Sequence, residues 1–144
     1  MINNKTILQS NKQVTQWYLI DAKKYILGKM STKISNLLTG KNKIDYNPNT
    51  INNIYIIVIN SKEIQITGKK REQKIYTRHS GQPGGLKQEK FNELQQRQPN
   101  KIIQQAVKGM LPKNKIGKKM LTRLKIYATE THPYLDKNNH FINL

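Results

Sequence analysis

Cysteine is absent from this chain. That excludes a disulfide framework, a cysteine zinc site, an iron–sulfur cluster and a thiol nucleophile. Acidic residues are scarce, 8 in 144 positions, and they are too scattered to form the carboxylate cluster of a metal-dependent nuclease. The histidines His79, His132 and His140 form no His-Glu-x-x-His pattern. No apolar run approaches the ~20 residues that span a bilayer; the longest, Ile54 to Ile59, has six. Met1 to Thr6 lack the charged-then-apolar order of a secretory signal and the Arg and Ala richness of a transit peptide. The expectation is a protein that stays in the compartment where it is made. An anionic membrane surface is a poor partner too, because no long helix pairs a basic face with a Trp/Phe/Leu-rich one.

What the chain has in excess is positive charge: 26 Lys+Arg give a formal net charge of +18. A surplus of this size on one small domain repels itself, and a polyanion is the natural compensation. The charge is spread evenly, with +6 in residues 1–50, +5 in 51–100 and +7 in 101–144. A detachable basic tail would concentrate it; an even spread predicts a folded body touching polyanion on several faces. From Leu94 to Thr129 no acidic residue occurs, while Arg97, Lys101, Lys108, Lys113, Lys115, Lys118, Lys119, Arg123 and Lys125 all do. Nucleic acid is the leading partner for such a window. The cations are 22 Lys and 4 Arg, alongside 19 Ile, 16 Asn and 3 Ala. Phosphate recognition alone favours Arg, so this balance reads as the codon bias of an A/T-rich genome such as an organelle's.

The apolar pattern predicts one α/β domain with a mostly parallel sheet, preceded by a polar extension over residues 1–15. Trp17 to Ile20 reads as a buried strand ending at Asp21, whose expected role is to cap the turn after it. Leu27, Met30, Ile34, Leu37 and Leu38 make one helix face that stops at Gly40. Ile54 to Ile59, nearly all β-branched, reads as a central strand buried on both faces. Ile64 to Thr67 reads as a short strand, Lys74 to Arg78 as extended, and His79 to Gly85 as a loop. Gln88 to Gln96 reads as a helix, which would put Glu89 and Glu93 on one face as solvated acids. Pro99 opens a helix closed by Pro112, and Asn114 caps another with Ile116, Met120 and Leu124 inward. Leu124 to Ala128 reads as the last strand, and residues 129–144 as irregular.

Two constellations fit nucleic acid. Lys69, Lys70, Arg71, Lys74, Tyr76, Arg78 and His79 interleave cations and flat rings before the glycines Gly81, Gly84 and Gly85. Glycines let backbone N–H groups approach phosphate, and Tyr76 or His79 can stack on an unpaired base. Lys115, Lys119 and Arg123 recur every four residues, a rise of ~6 Å that approaches the spacing of successive phosphates along a strand. Trp17 reads as core rather than stacking platform. The glycine stretch matches neither the phosphate-loop pattern nor the dinucleotide fingerprint, so no catalytic residue, cofactor, metal or small-molecule substrate is expected. A free basic regulator is the alternative reading.

In these motifs the chain resembles the family of large-subunit ribosomal protein 13, in its bacterial and organellar form. The resemblance rests on four blocks in order across residues 17–134. They are Trp17-Tyr18 with Asp21-Ala22 and Leu27-Gly28-Lys29; Tyr55 to Asn60 with Thr67-Gly68; Tyr76 with His79-x-Gly81-x-x-Gly84-Gly85-Leu86-Lys87; and Ala106-Val107-x-Gly109-Met110-Leu111-Pro112-Lys113 with Gly117, Leu124-Lys125-x-Tyr127 and His132-Pro133. It departs from the family pattern at Asn53-Ile54, at Thr129 and in its tail from Tyr134 onward.

The resemblance implies a three-layer α/β/α fold, no catalysis, and binding to large-subunit ribosomal RNA early in assembly beside neighbouring ribosomal proteins. It implies RNA contacts at Lys70, His79, Gly81, Gly84, Gly85 and Lys87, and at Lys108, Lys113, Gly117 and Lys125. Charge and spacing add Lys69, Arg71, Lys74, Arg78, Lys115, Lys118, Lys119 and Arg123. The expected organisation is an extension over 1–15, an RNA-binding domain over 16–134 and an irregular tail over 135–144. With the codon bias, the expected compartment is a plastid that encodes the protein, the alternative being the cytoplasm of an A/T-rich bacterium.

Overall fold

Ile54–Ile59 forms a strand with apolar side chains pointing both ways, and the domain is arranged around it. The computed structural model describes residues 14–44, 46–135 and 139–141, the last three by backbone alone. In chain order the elements are β1 (Gln16–Asp21), α1 (Leu27–Thr39), β2 (Ile54–Ile59), α2 (Lys70–Gln73), β3 (Ile75–His79), β4 (Leu86–Lys90), α3 (Phe91–Arg97), α4 (Pro99–Met110), α5 (Lys115–Thr122), β5 (Leu124–Ile126) and β6 (Asn139–Phe141). Four strands make a parallel sheet in the order β5-β2-β1-β6, and β3 and β4 make a separate antiparallel hairpin. The expected α/β fold with a small parallel sheet is what forms.

Going from β1 to β2 to β5, the chain steps across the sheet in one direction. Crossovers of one hand then place their helices on one face. Ile20, Ile54, Ile56 and Val58 accordingly share a core with Met30 and Ile34 of α1, Phe91 and Leu94 of α3, Ile102, Ile103 and Val107 of α4, and Met120 of α5. On the opposite face Leu19, Ile57 and Ile59 are buried. Among the described residues that face is covered by Trp17, Tyr127 and Tyr134, with Trp17 stacked on Tyr55 at 4.5 Å and 16°. Trp17 is therefore a packing residue, as its setting in an apolar strand predicts. Each fully buried Ile side chain stabilises by roughly 1.5–3 kcal/mol, so β2 contributes to the cohesion of both layers.

Local signals set the element ends. Asp21 Oδ1 accepts from the Lys23 amide at 3.1 Å and from Asn60 Nδ2 at 3.0 Å, the capping role expected of it. Gly40 is left-handed at φ 78°, and the Gly40 and Lys41 amides close back onto the Leu37 and Asn36 carbonyls. Buried Asn52 donates its side-chain amide to the Thr39 carbonyl at 3.0 Å. Asn114 Oδ1 accepts from the Gly117 amide at 2.8 Å and caps α5.

The structure corrects four expectations. Ile64–Thr67 is no strand: Asn60, left-handed at φ 58°, starts a 3-10 turn over Ser61–Glu63, and only Gln65 bridges, to Ile26. Residues 88–90 are strand, because Leu86–Lys90 pairs with Ile75–His79 before α3 begins. Pairing with a partner strand overrides the local helical preference. Glu89 and Glu93 consequently do not share a helix face; Glu93 accepts from the Lys90 amide at 3.2 Å at the start of α3. The segment expected to be irregular from 129 contains β6, parallel to β1. The expected extension over 1–15 lies outside the described residues apart from 14–15.

Gly117 is fixed by packing. A Cβ there would collide with the Pro112 carbonyl oxygen, whereas one on Gly109 meets nothing within 4 Å. We expect Gly117→Ala to lower stability by about 1–3 kcal/mol and Gly109→Ala to raise it by roughly 0.5–1 kcal/mol. Thermal melts of the two variants check both signs; a stable Gly117→Ala protein would contradict the contact.

Candidate nucleic-acid interface

The β3–β4 hairpin stands on α3. The Phe91 amide donates to the Lys74 carbonyl at 3.0 Å, and the Tyr76 ring lies 6.4 Å from that of Phe91. Directly opposite residues share a face, so Tyr76, Arg78, Lys87 and Glu89 form one side of the hairpin. Ile75, His79 and Leu86 lie on the other, exposed. The loop from Ser80 to Gly85 is exposed except for half-buried Gly85. Gly81 and Gly84 are left-handed at φ 92° and 71° with open space where a Cβ would sit. That conformation favours glycine. His79 Nδ1 accepts from the Gly81 amide at 2.9 Å, which orients the ring in the turn.

Tyr76 is turned inward rather than outward. It packs against the main core, its hydroxyl is buried without a partner among the described residues, and Lys74 lies over its ring at 5.2 Å. Burial pushes its phenol pKa up. Of the two rings expected to stack on bases, only His79 is exposed. Lys69, Lys70 and Arg71 lie exposed on and before α2, at the base of the hairpin.

Between the hairpin and α3–α4 lies a cleft of about 360 Å³, with Arg78, Lys87, Arg97 and Lys101 in its walls. Its one carboxylate, Glu89, grips Arg97 through both oxygens, Nε to Oε1 at 3.0 Å and Nη2 to Oε2 at 2.5 Å. The Arg97 hydrogen bond, then the charges of Arg97, Lys101 and Arg78, hold the Glu89 carboxyl below the usual carboxylate range. Beyond α4 is an apolar groove of about 390 Å³ with Leu111, Pro112 and Leu121 in its walls and Lys108, Lys113 and Lys118 among its cations. Gln105 lines both. Lys101, Gln105 and Lys108 follow one another along α4 at helical spacing, opposite buried Ile102, Ile103 and Val107. The hairpin cleft and the α4–α5 groove thus meet along α4, at Gln105.

The remaining expected residues divide. Lys115 and Lys119 are exposed on α5, but Arg123 lies beyond the helix. Its guanidinium donates to the Asn52 carbonyl and lies 5.5 Å from the Tyr55 ring centre, so it also ties α5 to the start of β2. Lys125 pairs with Ile57 in the parallel register and so occupies the sheet face away from the helices, apart from the rest. Gly117 is explained by its contact with Pro112. Arg97, Lys101 and Gln105 were not singled out from sequence. Arg97 and Lys101 do stand in the acid-free window, and the 101–105–108 spacing was available to find the stripe.

Only two ion pairs join described residues, Lys23–Glu63 at 2.9 Å and Arg97–Glu89 at 2.5 Å. Internal pairing therefore leaves most of the positive charge unmatched. Among the described residues no three His, Asp or Glu side chains gather to hold a metal, and no helix is long and apolar enough to cross a membrane.

Comparison with known proteins places the chain in a family. The profile of the family described as Ribosomal protein L13 matches residues 15–133. Large ribosomal subunit protein uL13c of Porphyra purpurea is 53% identical over 131 residues, 91% of this chain and 92% of that protein. The uL13c protein of Gracilaria tenuistipitata var. liui is 52% identical over 131 residues, again 91% and 92% of the two chains. Large ribosomal subunit protein uL13 of Synechocystis sp. is 47% identical over 132 residues, 91% of this chain and 87% of that one. The family is one of structural proteins rather than enzymes. Matched along nearly its whole described length, the chain belongs to the ribosomal protein L13 family.

Proposed function

We propose that the protein is a structural component of the large subunit of a plastid ribosome, and that it binds large-subunit ribosomal RNA with the face running from the hairpin across α4 to α5. The family membership and the plastid-type relatives support the first part. One observation carries the second: Gln105 is shared by a cationic cleft and a groove edged with lysines, so the two cationic surfaces meet. Residues 16–134 supply this face as one RNA-binding unit. The exposed side chains Lys69, Lys70, Arg71, Arg78, Lys87, Lys108, Lys113, Lys115, Lys118 and Lys119 are its phosphate contacts. The action is phosphate neutralisation on a rigid body, holding RNA segments in register beside neighbouring ribosomal proteins.

Co-sedimentation of the tagged protein in salt gradients tests the assignment. Retention in the large subunit at high salt is expected. Release into free RNA or DNA fractions would instead support a basic regulator outside the ribosome. For the interface, Lys119→Ala is expected to weaken RNA binding about equally across sequences and to lower the slope of log K against log salt by about 1. An unchanged slope would remove Lys119 from the face. Tyr76→Phe deletes a buried hydroxyl that has no partner among the described residues. It is expected to raise the melting temperature, with a gain on the order of 1 kcal/mol, and to leave RNA affinity unaltered. Lost affinity would show that the hydroxyl meets RNA.

A further inference from the structure

Across the hairpin Arg78 and Lys87 stand directly opposite each other. Like charges in that position destabilise a strand pair. Neither has an ion-pair partner among the described residues. Both face Arg97 of α3 and Lys101 of α4 across the cleft, and Glu89 is the only carboxylate in its walls. Four cations against one anion leave three positive charges unmatched in a confined space.

The one carboxylate is committed. Its two oxygens hold the Arg97 guanidinium side-on, at Nε and at Nη2. Of the five N–H donors of a guanidinium, that arrangement spends two and leaves three. The planar fork sets the direction of the free donors once the bound edge is fixed. Arg97 is thus a pre-oriented donor on the cleft wall rather than a free surface cation.

We infer that this cleft is a phosphodiester site, in which Arg97 and Lys101 join Arg78 and Lys87 on one RNA backbone segment and Glu89 is the positioning residue that aims Arg97. The inference rests on the reading of the protein as RNA-binding and gives a particular part in that function to Arg97, Lys101 and Glu89, which lie outside both sequence constellations. Glu89 also restrains the cleft: it repels phosphate unless Arg97 engages it, so it favours RNA that presents its backbone in the right geometry over any flexible polyanion.

The test compares the whole protein with its Arg97→Ala, Lys101→Ala, Glu89→Gln and Lys119→Ala variants. Each is titrated with a large-subunit RNA fragment and with unstructured polyuridylate over a range of salt. The slope of log K against log salt for the fragment is expected to fall by about 1 for Arg97→Ala and for Lys101→Ala. Glu89→Gln is expected to raise affinity for polyuridylate while narrowing the preference for the fragment by about tenfold. An equal rise for both RNAs would mean that Glu89 acts only as a negative charge and would overturn its positioning role. If Lys119→Ala lowers the slope while the Arg97 and Lys101 variants leave it unchanged, RNA binding stands and the cleft is not part of it. A wild-type protein with no salt-dependent RNA affinity would remove the functional reading itself. Inorganic phosphate that competes as well as RNA at equal phosphate concentration would show a free-anion pocket and overturn the phosphodiester assignment.

Discussion

The two-sided burial of β2 is the constraint on which the rest depends. A strand with Ile54, Ile56 and Val58 on one face and Ile57 and Ile59 on the other needs two covering layers and a neighbour along each edge. Parallel neighbours need long crossovers, and those supply the helices of one layer. The other layer is aromatic among the described residues, with Trp17, Tyr127 and Tyr134 over Leu19, Ile57 and Ile59. The polar ties converge on the same strand. Asn52, just before β2, holds the last carbonyl of α1 and receives Arg123 from the end of α5. These ties fix the helix ends relative to the sheet, and with them the direction in which α4 and α5 present their cations.

Charge imposes the second constraint. Within the helices the apolar stripes are narrow and the opposite faces carry lysine. On α4 the buried set Ile102, Ile103 and Val107 forces Lys101, Gln105 and Lys108 outward, so the stripe that joins the two cationic surfaces follows from the core pattern. The hairpin is different. Ile75 and Leu86 remain exposed on its outer face, and it is attached mainly through Tyr76, Phe91 and the Glu89–Arg97 pair. Its form is set by strand pairing and by glycines at positive φ more than by burial.

Where side chains repeat with a clear period, the sequence was sufficient. The period-3.6 faces of α1, α4 and α5, the double-sided β2, the Asp21 and Asn114 caps and the left-handed Gly40 all follow from local chemistry. The failures share a cause. Leu86–Lys90 has helix-compatible residues and becomes strand because Ile75–His79 lies alongside. Ile64–Thr67 alternates like a strand but has only one bridge to make, after the turn at Asn60. Asn139–Phe141 joins the sheet edge through a register with β1 that no local pattern encodes. In each case a distant partner decides, and short segments carry too little local preference to oppose it.

The site was legible as composition but not as geometry. Counting cations found the hairpin and α5, and it could not distinguish a lysine that faces solvent from an arginine that serves the fold. Arg123 is drawn toward Asn52 and Tyr55, Lys125 is placed on the far face of the sheet, and Tyr76 turns its ring to Phe91. Conversely Arg97 and Lys101, which belong to no motif, come into the cleft because α3 and α4 pack beneath the hairpin. Glu89 shows the point most sharply. As one of 8 acids in a basic chain it resembles a solvated surface residue. Its position opposite Tyr76, two residues from Lys87 and within reach of Arg97, makes it instead the one negative group around which the cleft's cations are arranged. In a protein with so large a charge surplus, the scarce sign carries the more specific information: the surplus leaves cations unmatched over much of the surface, and the exception fixes the orientation of one of them, Arg97.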